Sequence, residues 1–416
     1  MSGGLGRAGA IWLDVTRLVT RAGHGVATGI DRVERAYLDH LLARDEPASR
    51  FLLRSTRGYL LLDRDGATRL ARYLHGTMDI PDRGDLVSRA YAKGPEPRHR
   101  VERGLRALAV DRCLPAGLPR LLARRAPPRF TYLNVGHANL SGATLGAMAA
   151  RPGCAVAIMI HDVIPLTHPD LVAEGMPARF AGRVARVRAH ADVVICNSHA
   201  TRTALDALWH GPGRRPAMAV SHLGIETQPA ARAPREAGRF VMLGTIEPRK
   251  NHAMMLDVWD RLADRLPPGK MPDLHVIGPT GWKVEALMKR LRAHPLTGRS
   301  IHLHGPLPEA EMRAHLERAT ALLFPSLAEG FGYPPLEAAA AGALPICSDL
   351  PVFRETLGES AVYLDVTDTY SWLTTIEKLV LGMADLPRPP PPDGPDWGGH
   401  FDRVGRALAD YRAEGP

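Results

Sequence analysis

The chain alternates between short, wholly apolar runs and longer stretches in which apolar residues recur every three or four positions. In the C-terminal half this alternation is regular. RFVMLGTIEP, DLHVIG, SIHLHG, TALLFPS, ALPICS and AVYLDV read as strands. NHAMMLDVWDRLADRL, WKVEALMKRLRAH, EAEMRAHLERA, PPLEAAAAG and TYSWLTTIEKLVLGM read as helices. Strands without polar alternation are buried on both faces, which predicts parallel sheets covered by helices. The N-terminal half uses the same vocabulary: AIWLDVT at 10–16, FTYLNVG at 130–136, AVAIMIHDVIPL at 155–166 and ADVVICNS at 191–198. A helix is predicted from Ile30 to Leu42, where Ile30, Val33, Tyr37, Leu38 and Leu41 keep helical spacing and Thr28 with Asp31 offers a capping box. RGYLLLDRDGATRLAR reads as two strands around a DG turn.

A Pro/Ala/Arg-rich stretch, TQPAARAPREAG at 227–238, divides the two halves, and PRPPPPDGP at 387–395 reads as a stiff tether before a last helix. The expected class is α/β, with two Rossmann-like domains whose parallel sheets face a central cleft. Their spans are 1–226 and 239–386, and the segment 387–416 is expected to pack back on the first domain. A chain of 416 residues is too long for one core, which agrees with two. In such sheets ligands bind outside the carboxyl ends of the strands.

The apolar runs fall far short of the ~18 residues of a membrane span. The N-terminus has no apolar leader, so a cytoplasmic location is expected. The cysteines at 113, 154, 196 and 347 lack metal-ligand spacing and read as thiols of a reducing compartment. The net charge of +9 is uneven: residues 97–129 hold nine arginines against Glu102 and Asp111, a net +7. Leucines 105, 108, 114, 118, 121 and 122 interleave with them. Such a segment suits an anionic membrane surface, which would make the protein peripheral on the inner face of the cytoplasmic membrane. The other reading is a solvated arginine-rich helix pair. Nucleic acid is not expected, because the segment has no aromatic residue for stacking.

The chemistry gathers at strand ends. In LGTIEPRKNH, Gly244 and Thr245 turn the chain close to a ligand, and Arg249 and Lys250 stand at the predicted start of a helix. Cations there oppose the helix dipole unless an anion compensates, which points to a diphosphate. In EGFGYPPLE, Gly330 and Gly332 flank Phe331 in a loop that can approach a ligand, between Glu329 and Glu337. Glu337, predicted in a first helical turn, can accept two hydrogen bonds from a vicinal diol such as a ribose. Glu329 would reach a second polyhydroxyl group. His161 and Asp162 end a strand of the first domain and face the cleft, as does His137; a lone histidine is more often structural. Asp63-Arg64-Asp65 fits a D-x-D metal motif but lies in a predicted turn, where aspartates are common for other reasons. No metal site is expected.

EGFGYPPLE resembles the E-x7-E motif of family-4 retaining glycosyltransferases of the GT-B fold. GTIEPRKNH is similar to their phosphate loop, and ADVVICNSHATRTAL and SHLGIE to the segments leading to their linker. The likeness covers about 150–365 well. It implies a GT-B architecture with an acceptor-side N-terminal domain and a nucleotide-sugar-binding C-terminal one. By this resemblance Glu337 contacts the ribose and Glu329 the donor hexose. Arg249 and Lys250 bind the diphosphate, and His161 touches the donor sugar near the reacting centre. Gly244, Thr245, Gly330, Phe331 and Gly332 line the donor site. TGIDR at 28–32 stands where the family has a glycine-rich loop, with Gly29 alone where many members have a pair. The implied reaction moves a hexose, on a GDP-mannose-like donor, to a hydroxyl of a glycan or lipid-linked acceptor in bacterial surface polysaccharide synthesis. It needs no metal and no cofactor. Rival readings are a nucleotide-sugar epimerase and a non-catalytic partner or glycan-binding subunit of the same fold. A dinucleotide oxidoreductase is disfavoured, since GHGVATG is not G-x-G-x-x-G.

Overall fold

The computed structural model describes residues 4–23, 27–44, 46–82, 96–225, 235–383 and 396–414. Among these, fourteen strands form two sheets. The first contains β1 (Ile11–Asp14), β2 (Arg50–Arg54), β3 (Tyr59–Leu62), β4 (Ala109–Cys113), β5 (Phe130–Asn134), β6 (Cys154–Ile160), β7 (Val193–Cys196) and β8 (Ala217–Val220). The second contains β9 (Arg239–Leu243), β10 (Asp273–Ile277), β11 (Ile301–His304), β12 (Ala321–Phe324), β13 (Leu344–Ser348) and β14 (Val362–Leu364).

The second sheet is wholly parallel, in the order β11-β10-β9-β12-β13-β14. The first runs β4-β3-β2-β1-β5-β6-β7-β8 and is parallel from β2 to β8. β3 and β4 add an antiparallel edge. Helices cover both faces of each sheet, as expected for strands such as VVIC and ALLF that are buried throughout. One continuous apolar cluster runs from Leu13 and Leu133 of the first sheet to Leu243, Phe324 and Phe353 of the second, so the two halves share a core.

Two local expectations are corrected. Asp63 ends the first arm of the supposed hairpin, but its carboxylate accepts the Gly66 N–H and caps a helix, Arg64–Leu74. Ala67, Leu70, Ala71 and Tyr73 then bury one helical face. Asp63-Arg64-Asp65 is therefore a helix start, and Asp63 serves as its cap. The arginine-rich segment is a helix (Glu96–Arg106), the edge strand β4 and a second helix (Leu118–Arg125). Leu105, Leu118, Leu121 and Leu122 point into the core, and Leu114 alone of the large apolar side chains there is well exposed. The amphipathic face expected for a membrane surface is thus turned inward. No helix among the described residues is long and apolar enough to cross a membrane.

The linker expected at 227–238 lies outside the described residues up to 234, and the tether at 387–395 does so entirely. The helix Trp397–Glu414 lies on the first sheet's side of the molecule. His400 Nε2 meets the Tyr37 hydroxyl at 2.7 Å, its Nδ1 meets Ser221 Oγ at 2.9 Å, and Arg412 donates to Thr131 Oγ1 at 2.8 Å.

Candidate active site

β9 ends at Leu243 and the chain turns at once. Gly244 takes φ 132°, a conformation that side chains rarely adopt, and a Cβ there would stand 3.3 Å from Lys250 Cε. The Gly244 N–H bonds the Ile277 carbonyl at 3.0 Å and the Ile246 N–H bonds the Pro279 carbonyl at 2.8 Å, which pins the loop containing Thr245 to β10. Pro248–Lys250 form a single 3-10 turn, Asn251 takes φ 54°, and the helix His252–Arg265 begins after it. Arg249 and Lys250 thus precede the helix rather than forming its first turn, because the left-handed Asn251 interrupts the path.

A carboxylate gathers these cations. Glu329, five residues beyond β12, lies 2.5 Å from Arg249 Nη1 and 2.6 Å from Lys250 Nζ. Arg249 also pairs with buried Glu247 at 2.6 Å and donates to the Ala328 carbonyl at 2.9 Å. The Lys250 ammonium stands 4.0 Å from the centre of the Phe324 ring. Two cations facing two carboxylates make a cluster balanced within the protein. Burial alone would push the Glu329 carboxyl up, but Arg249 and Lys250 outweigh it and hold it at about 2. Burial pulls Lys250 down to about 8, with Glu329 offsetting only part. Arg249 moves up: burial opposes its charge, and Glu329 and Glu247 overcome that.

The next residue joins the two halves. A Cβ at Gly330 would collide with the His161 carbonyl at the end of β6, so only glycine permits this approach. The Gly330 carbonyl accepts from Ser198 Oγ at 2.9 Å, and Thr201 Oγ1 donates to the His161 carbonyl at 3.3 Å. His161 is 5% exposed, and its Nε2 meets the Val135 carbonyl at 2.7 Å. A carbonyl only accepts, so Nε2 carries the proton and Nδ1 keeps its lone pair. Burial lowers this imidazole to about 4, which leaves it neutral. His137 is built the same way: its Nε2 donates to the Met159 carbonyl at 2.8 Å, its ring lies 5.0 Å from that of His161, and burial pushes it well below its ordinary value. Asp162 follows His161. Burial raises its carboxyl, and Arg249 opposes that rise.

Phe331 is buried, its ring packed on Tyr333 (5.4 Å) and His222 (6.3 Å), so only its backbone is available to a ligand. Gly332, at φ 88°, starts the helix Tyr333–Ala340 against Phe353. Glu337 is the fifth residue of that helix, just past the first turn in which it was expected, and pairs with Arg32. Arg32 lies on the helix Gly29–Ala43, with its guanidinium 4.8 Å from the centre of the Tyr333 ring. TGIDR is therefore the capped first turn of a helix rather than a loop: Thr28 and Asp31 form both bonds of the capping box. A Cβ at Gly29 would stand 3.4 Å from Tyr333, so this turn faces the second half.

The fold thus brings Arg249, Lys250, Glu329, Gly330 and the His161 backbone together, while Arg32 ties Glu337 to the helix that begins at Gly29. Three participants escape the sequence reading. Glu247 lies inside the quoted GTIEPRKNH and was legible as a third charge. Arg32 follows TGID directly but sits where a surface helix ordinarily carries arginine. Arg17 joins the array 2.7 Å from Asp31, with no motif around it.

Residues 225–382 match the family model of glycosyl transferases group 1. Over 230 residues, or 51% of this chain, the sequence is 30% identical to the serotype-specific mannosyltransferase WbdA of Escherichia coli. That stretch is 28% of WbdA, so the chain spans little more than a quarter of this relative's length. The lipopolysaccharide outer core galactosyltransferase WaaB superposes with a TM-score of 0.60, covering 96% of this chain and 99% of WaaB at 13% identity. Anabaena HepE in complex with UDP-glucose does so at 0.59, covering 97% and 96% at 12% identity. Two parallel-sheet units that share one core, with the charged cluster at a strand end where they meet, are the GT-B arrangement, and it is the segment 225–382 of this fold that matches the glycosyl transferases group 1 model.

Proposed function

We propose that the chain is a retaining hexosyltransferase. It moves a hexose, mannose by analogy with WbdA, from a nucleotide-diphosphate sugar to a hydroxyl of a glycan or lipid-linked acceptor of a surface polysaccharide. The observation that carries this reading is the clamp of Glu329 between Arg249 and Lys250, directly beneath the junction of Gly330 with His161.

In this reading the donor diphosphate replaces Glu329 as partner of the two cations. They already stand together, so little ordering remains to be done at the moment of reaction. As the bond from the sugar to the diphosphate breaks, negative charge builds on the leaving oxygens and Arg249 and Lys250 stabilise it. The released Glu329 accepts hydroxyls of the hexose. Glu337, freed from Arg32, accepts the two ribose hydroxyls. His161 can only accept through Nδ1, so it takes a hydrogen bond from a sugar hydroxyl and does not protonate the leaving group. With no carboxylate assigned as a covalent nucleophile, the acceptor oxygen attacks the face from which the diphosphate departs, and that diphosphate takes the acceptor proton. The transfer itself uses neither metal nor cofactor. The enzyme works in the cytoplasm, where nucleotide sugars are made.

The test is turnover. The purified chain is incubated with GDP-mannose and with UDP-, dTDP- and ADP-hexoses, in the presence of mannose-containing acceptor oligosaccharides, and products are read by mass spectrometry. Acceptor extended by one hexose with the donor's anomeric configuration supports the proposal. Isomerised donor without extension overturns it in favour of an epimerase, and unaltered donor throughout overturns it in favour of a non-catalytic subunit.

A further inference from the structure

A second cluster lies in the glycosyl transferases group 1 domain, away from the charged clamp. His275 on β10, His304 at the end of β11 and His315 on the helix Glu309–Arg318 offer three ring nitrogens, all within 4.8 Å of one another. His275 Nδ1 and His304 Nε2 already stand 3.0 Å apart, with the two rings stacked. The His304 and His315 ring centres are 4.9 Å apart, and those of His275 and His315 5.3 Å. The pairing of β10 with β11 puts His275 beside His302 and Ile277 beside His304. His275, His302 and His304 therefore share one face of the sheet, the face over which the helix with His315 lies.

Three imidazoles converging from three elements are not needed by the transfer chemistry. We propose that His275, His304 and His315 bind one divalent transition-metal ion of the imidazole-preferring class, zinc being the member named for the test.

Tetrahedral zinc at ~2.0–2.1 Å from each nitrogen needs the nitrogens about 3.3 Å apart. One pair is already near that spacing, and the third needs a side-chain adjustment of ~1.5 Å at most. Three protein ligands leave a fourth position for water, and His304 and His315 are only partly buried, so an ion has access. In the His275 Nδ1–His304 Nε2 contact one nitrogen carries a proton and the other its lone pair, so a bound ion requires one ring to take its other tautomer. The groups facing the cluster are Arg239, 2.8 Å from His315 Nδ1; Glu236, which pairs with Arg239 at 2.6 Å and with Arg318; and His302, tied to Asp273 at 2.8 Å. Arg239 competes with the metal for His315, and Glu236 offsets its charge. A bound ion would tie the 309–318 helix to the edge of the second sheet.

The test uses the full chain without a histidine tag, freed of metal by a chelator. Zinc chloride is titrated near neutral pH by calorimetry, and cobalt(II) is added separately as a spectroscopic probe. The expected result is one zinc per chain, a raised Tm, and the intense visible absorption of tetrahedral cobalt. His304→Gln/His315→Gln is expected to lose at least about tenfold in affinity together with the cobalt band. His302→Gln, which alters a neighbouring ring, is expected to keep both. Circular dichroism and Tm of the metal-free variants establish that they fold; an unfolded double variant is replaced by His315→Gln alone, read against the same criteria. No saturable binding by the native chain, or equal affinity and an unchanged cobalt spectrum in a folded variant, overturns the proposal.

Discussion

The Arg32 guanidinium meets the Glu337 carboxylate 305 positions further along the chain and ties the first helix facing the junction to the helix behind the EGFG loop. The side chains are 23% and 15% exposed, and the pair keeps Arg32 charged against the cost of its burial. If Glu337 holds the donor ribose, donor and Arg32 compete for one carboxylate. Arg32→Ala is then expected to tighten nucleotide-sugar binding by up to about fivefold, the worth of a partly exposed ion pair. Calorimetry measures it; weaker binding in the variant would show that Arg32 serves the donor instead.

Lys250 is expected to be the most sensitive position for catalysis. Lys250→Ala is expected to lower kcat/KM by about 10²–10³ while the chain still folds. In the free protein this ammonium sits at about 8, so it is charged below that pH and neutral above it. The log of kcat/KM should therefore fall as pH rises through about 8. The corresponding limb of kcat should lie higher, since a bound diphosphate favours the charged form. A flat alkaline profile in both parameters would remove Lys250 from the diphosphate site.

Glu329 carries an acid-stability prediction. Its carboxyl is held at about 2 in the folded chain against 4.5 ordinarily, so the unfolded chain binds the extra proton between these values. The stabilisation is complete above about pH 5 and drains away as pH falls towards 2. It is on the order of 3 kcal/mol; the depressed Lys250 carries a penalty of similar size, but that penalty is constant below about pH 7 and leaves the acid limb to Glu329. Glu329→Gln should flatten this segment of a stability-versus-pH curve followed by urea unfolding. An identical acid limb in variant and parent would contradict the clamp.

Gly330→Ala probes the junction itself. The added methyl meets the His161 carbonyl, so the loop must withdraw from β6. The expected outcome is a fall in kcat/KM of at least about tenfold, through misplacement of Glu329 relative to His161. Far-ultraviolet circular dichroism should not change. Full activity in this variant would mean that the observed approach is not the working arrangement.

Much of the fold was legible because burial on both faces leaves a plain mark: VVIC, ALLF and LPICS have no polar alternation and are central parallel strands. The Thr28–Asp31 capping box was legible for the same kind of reason, since both bonds are local. The antiparallel edge was not, because β4 is formed by AVDRC, a sequence without strand character that pairs with β3 across the 46 intervening residues 63–108. DRDG was misread because the Asp63 carboxylate satisfies a helix end as readily as a turn, and only the burial of Leu70 and Tyr73 decides between them. At the site, EGFGYPPLE and EPRK announced their charges but not their pairing. That Arg249 and Lys250 would be neutralised by Glu329, and Glu337 by Arg32, depends on which strand ends lie side by side. The histidine cluster was invisible for the same reason: positions 275, 304 and 315 converge only through the order of β10 and β11 and the helix that follows.

The central claim is that one nucleotide-diphosphate sugar spans Lys250, Glu329 and Glu337. Calorimetric titration of GDP-mannose and of UDP-, dTDP- and ADP-hexoses into the native chain, Lys250→Ala and Glu337→Ala addresses it directly. The account predicts one-to-one binding of at least one donor to the native chain, weakened by about tenfold to a hundredfold in each variant. Equal affinity for that donor in all three proteins, or no binding of any donor to the native chain, would contradict it.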